Sequence, residues 1–336
     1  MYTPGSPCYQ SSMRSLLGVN LPYFGDSYAH DMAKNARLEG WPCDFDLGRA
    51  HEALVLARSM NLEAVRIWLC EGGEGIDVDA KGHVTGVKPE LLDAIKGVQA
   101  GAAISGVRIY WTLLDANGPM RDGDMLTHSI LADADQAARF AEHVAAPIAR
   151  VVDEAIAIGV DVINEPETVT VDCADVKRDH APPFIEWETI GGVIARARDA
   201  IRAERGHLLV TSGTTRHFLP KLWRAGATLD ALDLHVYHVG GGLPPRAALE
   251  DLVGDPAIAT IPIIAGECGI PKEPGRDENA LVNFLYNADK GDYQAVFLWK
   301  LAGDLVDTSE KRPKLTQVGR YVRDAIEARP ATGFDT

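Results

Sequence analysis

The stretch GVDVINEPE, residues 159–167, is a β-branched run that ends in a carboxylate. Val160–Asn164 is too short for a helix and is rich in β-branched residues, the mark of a strand. Pro166 cannot donate to a ladder and turns the chain into a loop, so Glu165 stands where the strand opens. On either side the pattern changes to long alanine-rich stretches, Ala132–Ala157 before and Phe184–Glu204 after, with apolar residues recurring at three and four.

The same alternation runs through the chain. Further strands are predicted at Leu17–Leu21, Ala64–Leu69, Gly106–Leu113, His207–Ser212, Ala231–Tyr237, Ile261–Ala265 and Ala295–Leu301. Helical patterns cover Asp46–Met60, Lys88–Gly101, Thr215–Ala225, Pro245–Val253, Asp277–Ala288 and Leu315–Ala328. Strands alternating with helices imply a parallel sheet, and eight units favour a single (β/α)₈ TIM barrel over an open doubly wound sheet. Neither a G-x-G-x-x-G after the first strand nor a Walker loop supports the open alternative. The expected organisation is an N-terminal extension over 1–16, a barrel over 17–328 and a tail over 329–336. Two strand-end connections are elaborated. Pro22–Phe45 follows the first strand, and Cys70–Val87 follows the second and contains a hairpin turning at Ala80–Gly82. Loops at that end of a barrel shape its active site.

Composition narrows the partners. The 336 residues carry a net charge of −15, which repels nucleic-acid phosphate and anionic lipid, so neither is expected as a partner. No run of about 18 apolar residues occurs, and no basic-then-apolar leader opens the chain. If Met1 is the natural start, the expected compartment is the cytoplasm. The five cysteines are widely spaced and form no C-x-x-C pair, so reduced thiols are expected there. Oligomeric state has no signature in the sequence.

A second carboxylate closes a buried-looking strand in IPIIAGECG, residues 261–269. Glu267 lies between Gly266 and Gly269, and glutamate is seldom buried without a partner. Taken singly, a glutamate after a strand caps a helix or forms an ion pair more often than it catalyses. Two of them at the mouths of the fourth and seventh strands would face each other across a barrel. That arrangement suits glycoside hydrolysis, in which one carboxyl protonates the leaving oxygen and a nearby carboxylate attacks the anomeric carbon. On this basis Glu165 and Glu267 are the candidate catalytic pair, Glu165 as acid/base and Glu267 as nucleophile.

Over most of the barrel, Gly18 to Leu301, the sequence resembles glycoside hydrolase clan A, and most nearly its cellulase-like family 5. INEP at 163–166 resembles the clan's acid/base strand and GECG at 266–269 its nucleophile strand. VRIW at 65–68, HVYH at 235–238 and FLWKL at 297–301 resemble the second, sixth and eighth strands. The resemblance implies a retaining glycoside hydrolase acting on β-linked carbohydrate, with no cofactor or metal. It places Arg66 beside the nucleophile, His235 and Tyr237 in the reacting-sugar subsite, and Trp299 as a stacking platform. Asn164, next to the acid, would bond the sugar's 2-hydroxyl. Trp68 and Trp111 near strand ends, and His30 and Asp31 in the first loop, are further candidate sugar contacts. Transglycosylation, a sugar-binding barrel without activity and a metal-dependent barrel hydrolase are the competing readings. His235 and His238 form an H-x-x-H on a strand, which sends them to opposite faces and weakens the metal reading.

Overall fold

The β-rich runs form one ring of parallel strands, and the way that ring closes positions the carboxylates. A computed structural model describes residues 14–22, 32–35, 43, 45–122, 124–172, 183–238, 240–270, 280–307 and 313–328. Thus 1–13 of the expected extension, the tail, and His30 and Asp31 of the first loop lie outside the described residues.

Strands β1 (Leu16–Leu21) and β2 (Ala64–Trp68) are followed by a small antiparallel hairpin, β3 (Ile76–Val78) and β4 (Val84–Val87), where the sequence predicts one. Next come β5 (Arg108–Asp115), β6 (Ala157–Asn164), β7 (Leu209–Thr211), β8 (Gly213–Thr215), β9 (Leu232–Tyr237), β10 (Ile263–Gly269) and β11 (Tyr293–Leu298). A two-residue pair, β12 (Val306–Asp307) and β13 (Lys314–Leu315), lies beyond the ring. The large sheet runs β7-β6-β5-β2-β1-β11-β10-β9-β8. Its two ends, β7 and β8, are consecutive segments broken only at Ser212, so they occupy one strand position and complete an eight-membered barrel. Ser212 Oγ donates to the Ile163 carbonyl at 2.6 Å, and the Glu165 amide donates to the Gly213 carbonyl at 2.9 Å, across the closure. The strand read as His207–Ser212 thus starts at Leu209, breaks at Ser212 and resumes as far as Thr215.

Two apolar layers follow from strand alternation. Ala64, Tyr110, Ala231, Ile264, Ala295 and Phe297 form a small cluster of their own within the ring, with the Tyr110 and Phe297 rings 5.5 Å apart. A much larger core lies between the strands and the surrounding helices. Trp111 belongs to this outer layer with no exposed surface, because Tyr110 and Thr112 take the inward positions of β5. It reaches no sugar-accessible surface, contrary to its selection as a contact.

The helix expected over Ala132–Ala157 is shorter. Asp133 accepts from the Asp135 and Gln136 amides and caps a helical run that begins at Ala134 and ends at Val151. Asp153 then forms a turn, accepting from the Ala155 amide at 2.9 Å, and Ala157 already belongs to β6. The alanine and isoleucine spacing continues through that turn, so periodicity alone overran it.

The helix Trp187–Glu204 approaches the end of the neighbouring helix, Leu219–Arg224, closely at Gly191, where an added Cβ would lie 2.0 Å from the Ala225 carbonyl oxygen. Helix propensity favours alanine over glycine by about 1 kcal/mol, so packing rather than propensity explains this residue. Gly191→Ala should lower stability by about 1–3 kcal/mol, read as a lower urea midpoint. A midpoint at or above that of the parent would mean the helix does not sit this close.

Candidate active site

Strict alternation along β10 would point Ile264 and Glu267 to opposite faces. The pairing of β10 with β9 shifts register between Ile264 and Glu267, and that with β11 shifts between Ala265 and Cys268. Such a bulge re-aims a side chain, and here it brings Glu267 inward. Gly266 makes it feasible. Its amide donates to Asp233 Oδ1 at 2.8 Å, and a Cβ at this position would be 2.4 Å from that oxygen.

Beneath Glu267 lies Arg66, fully buried on β2. Its Nη1 donates to Glu267 Oε1 at 2.9 Å and Asn20 Oδ1 at 3.1 Å. Its Nη2 donates to Asp161 Oδ2 at 2.6 Å and Asn164 Oδ1 at 2.8 Å. The guanidinium carbon also sits 4.1 Å from the Trp68 ring centroid, a cation–π contact. Burial would ease loss of the proton, but Asp161, Glu267 and Asp233 outweigh it and hold the group charged. Tyr237 donates its hydroxyl to Glu267 Oε2 at 2.6 Å. Both oxygens of Glu267 accept, an arrangement that satisfies the ionised carboxylate. Its pKa is nevertheless raised, because burial, and then the charge of Glu165, outweigh the pull of His235, Arg66 and Tyr237.

Glu165 follows β6 in the left-handed region, φ +48° and ψ 57°, a conformation that costs a non-glycine residue about 1 kcal/mol or more. Its amide bond to Gly213 and the Thr168 amide and hydroxyl on its own carbonyl, at 3.1 and 2.9 Å, hold it there. Its Oε2 accepts from Asn117 Nδ2 at 3.0 Å, and Oε1 lies 3.1 Å from His235 Nδ1. Burial raises this carboxyl, but the hydrogen bond and charge of His235, with Asn117 and Arg66, bring it down to about 2. His235 moves in the complementary sense. Burial disfavours its cation, yet Glu267 and Glu165 raise it to about 9.

Five residues singled out from sequence therefore meet in one place: Glu165, Glu267, Arg66, His235 and Tyr237. Asn164 joins them but is committed to Arg66 and, through Nδ2 at 3.0 Å, to Asp115. Trp299 is half-buried at the end of β11 and packs edge-on to Trp68, ring centroids 6.1 Å apart. Trp68 itself is 3% exposed and acts as support for Arg66 rather than as an open platform. Four polar residues of the site were missed: Asn20, Asn117, Asp161 and Glu167. Asn20 and Asp161 are isolated polar residues inside apolar strands, which is itself a signal, since a buried polar group needs a partner. Of the cysteines, Cys70 and Cys268 are buried free thiols, while Cys8 and Cys173 lie outside the described residues.

Glu165, His235 and Glu267 each offer an atom within 4.8 Å of the others, a spacing that metal ligands share. Arg66 and Tyr237 already occupy both oxygens of Glu267, and a cation bound there would face a fixed positive charge. The set suits an organic substrate with hydroxyl groups better than a metal ion.

No protein-family model and no curated protein matches the sequence. Solved structures match the fold. A beta-mannanase from the blue mussel Mytilus edulis has a TM-score of 0.69 at 18% identity, covering 94% of this chain and 92% of that one. The beta-1,4-mannanase from the sea hare Aplysia kurodai has a TM-score of 0.69 at 20% identity, covering 97% and 95%. GH5_18 from Streptomyces cattleya, crystallised in complex with GlcNAc, has a TM-score of 0.66 at 16% identity, covering 96% and 82%. The barrel expected from the five motifs is thus the architecture found, and it is shared with glycoside hydrolases.

Glu167, two residues beyond the candidate acid, is 2% exposed and binds the closure strand. Its Oε1 accepts from the Thr215 amide at 2.9 Å and its Oε2 from Thr214 Oγ1 at 2.8 Å. Burial, and then the charge of Glu165, raise it from 4.5 to about 7. The folded state therefore binds this proton more tightly than the unfolded chain. Its contribution to stability is greatest below pH 4.5 and falls as pH rises to about 7. Glu167→Gln should remove that fall, worth up to about 3 kcal/mol, so the variant gains on the parent between pH 4.5 and pH 8 in urea unfolding. Parallel stability curves across that range would show that Glu167 is not held protonated.

Proposed function

We propose that this chain is a retaining β-glycosidase that works by double displacement. The observation that carries the reading is the spacing of its two carboxyl groups. One oxygen of Glu165 and one of Glu267 lie within 4.8 Å of each other, a spacing that fits the roughly 5–5.5 Å between the carboxyl groups of retaining enzymes.

In the first step Glu267 attacks the anomeric carbon and forms an ester bond as the glycosidic C–O bond breaks. Glu165 delivers a proton to the departing oxygen. In the second step Glu165 takes a proton from water, which attacks the same carbon and releases Glu267. Arg66 and Tyr237 hold the nucleophile by charge-assisted hydrogen bonds, fixing the oxygen that attacks. The 3.1 Å contact between Glu165 and His235 keeps the acid's proton within the pair. Trp299 offers a flat apolar surface to the C–H face of a pyranose.

The substrate class is β-linked oligo- or polysaccharide. The fold-level neighbours named as mannanases make manno-oligosaccharides the first to test, beside gluco-oligosaccharides and a panel of 4-nitrophenyl glycosides.

Glu267→Ala should lower turnover of the best aryl β-glycoside at least about 10³-fold. Added azide should restore cleavage and give the α-glycosyl azide, identified by NMR. Substantial activity without azide would remove Glu267 from the nucleophile role. Glu165→Gln should cost about 10²–10⁴-fold in kcat/KM for unactivated substrates and far less for dinitrophenyl glycosides. Equal losses on both would deny Glu165 the acid role.

A further inference from the structure

A recess of about 500 Å³ opens beside the site, and His235 and Tyr237 line it as well as touching the catalytic carboxylates. Leu243 and Pro244 give it an apolar wall, while Arg216, His217 and His238 bring basic side chains into its lining. All three basic residues are exposed. Elsewhere in this acidic chain arginines are taken up by carboxylates, as Arg198 is by Asp230 and Arg246 by Asp292. Arg216 has no hydrogen bond or ion pair with any described residue. Asp172, the carboxylate that feels the charge of His217, is already bound by Lys221 at 2.6 Å and by Trp187 at 2.8 Å.

The recess also lies on the acid's side. Gly213, whose carbonyl receives the Glu165 amide, precedes Arg216 by three residues, a chain reach of at most about 11 Å. The segment that carries Arg216 into the recess therefore starts beside Glu165. The forked donors of the Arg216 guanidinium match the planar oxygens of a carboxylate, sulfonate or phosphate.

Resting on the glycosidase reading, we propose that this recess is the leaving-group subsite and that it selects an aglycone bearing an anionic group. The departing ring packs on Leu243 and Pro244, and its oxyanion meets Arg216, with His217 and His238 alongside. The same chemistry is offered by an acidic sugar and by an aromatic acid, both of which present a ring with an oxyanion at its edge.

The test uses the sugar that the intact chain cleaves fastest, attached to 4-carboxyphenol or to 4-carbamoylphenol, its neutral counterpart. The ratio of kcat/KM for the anionic over the neutral substrate is measured in the parent and in Arg216→Ala. Comparing the two ratios cancels the intrinsic reactivity of the leaving groups. The ratio should fall about tenfold in the variant, and it should shrink in the parent at about 1 M salt, where screening reaches down to about 3 Å. Arg216→Lys should keep part of it. A disaccharide ending in a uronic acid, set beside its neutral analogue, tells an acidic sugar from an aromatic acid. Equal ratios in parent and variant would overturn the anionic subsite while leaving the glycosidase reading intact. If no glycoside is cleaved, that reading falls, and the recess is tested by calorimetric binding of 4-hydroxybenzoate against 4-hydroxybenzamide. Binding of the two with equal affinity would then overturn the subsite as well.

Discussion

One buried cation organises the barrel mouth. Removing a guanidinium from water costs several kcal/mol, and Arg66 offsets that cost only because four acceptors on three strands surround it. Asn20 from β1, Asp161 and Asn164 from β6 and Glu267 from β10 converge on its two terminal nitrogens, and Trp68 covers its face. Asn20 also donates to the carbonyls of Gly266, Phe297 and Leu298, tying β1 to β10 and β11. The residues that hold the ring together at this level are thus the residues that orient the proposed nucleophile, Glu267. Loss of one partner would leave uncompensated charge in the interior, so structure and chemistry are not separable here.

The sequence disclosed the barrel because each strand is a short apolar run bounded by turn chemistry, and each carboxylate ends such a run. It disclosed less where the backbone departs from regular alternation. Glu267 points inward only through the bulge at Gly266, and period-two reading alone would place it on the wrong face. The same rule, applied to β5, would have sent Trp111 outward, since Tyr110 faces Asp233 across the interior at 2.5 Å. Nearness to a strand end was the weaker guide. Asn20 and Asp161 announce themselves as polar residues in apolar strands, but which partner each finds depends on three-dimensional register. Asn117 and Glu167 gave no such signal, because they lie in the short helical turns after β5 and β6, where folding alone decides that Asn117 meets Glu165 and Glu167 meets Thr214 and Thr215.

The electrostatics of the site bear on how the proposed acid obtains its proton. With Glu165 drawn down to about 2 and His235 raised to about 9, the proton resides on the imidazole, 3.1 Å from the carboxylate it must serve. The strongest influence holding it there is the charge of Glu267. In the proposed first step that charge disappears as the ester forms. His235 would then lose its main electrostatic support and yield the proton through Glu165 to the leaving oxygen. Hydrolysis of the ester would restore the charge and draw the proton back. Nucleophile and acid would be coupled through a single imidazole, so neither carboxyl could change its state without shifting the proton affinity of the other.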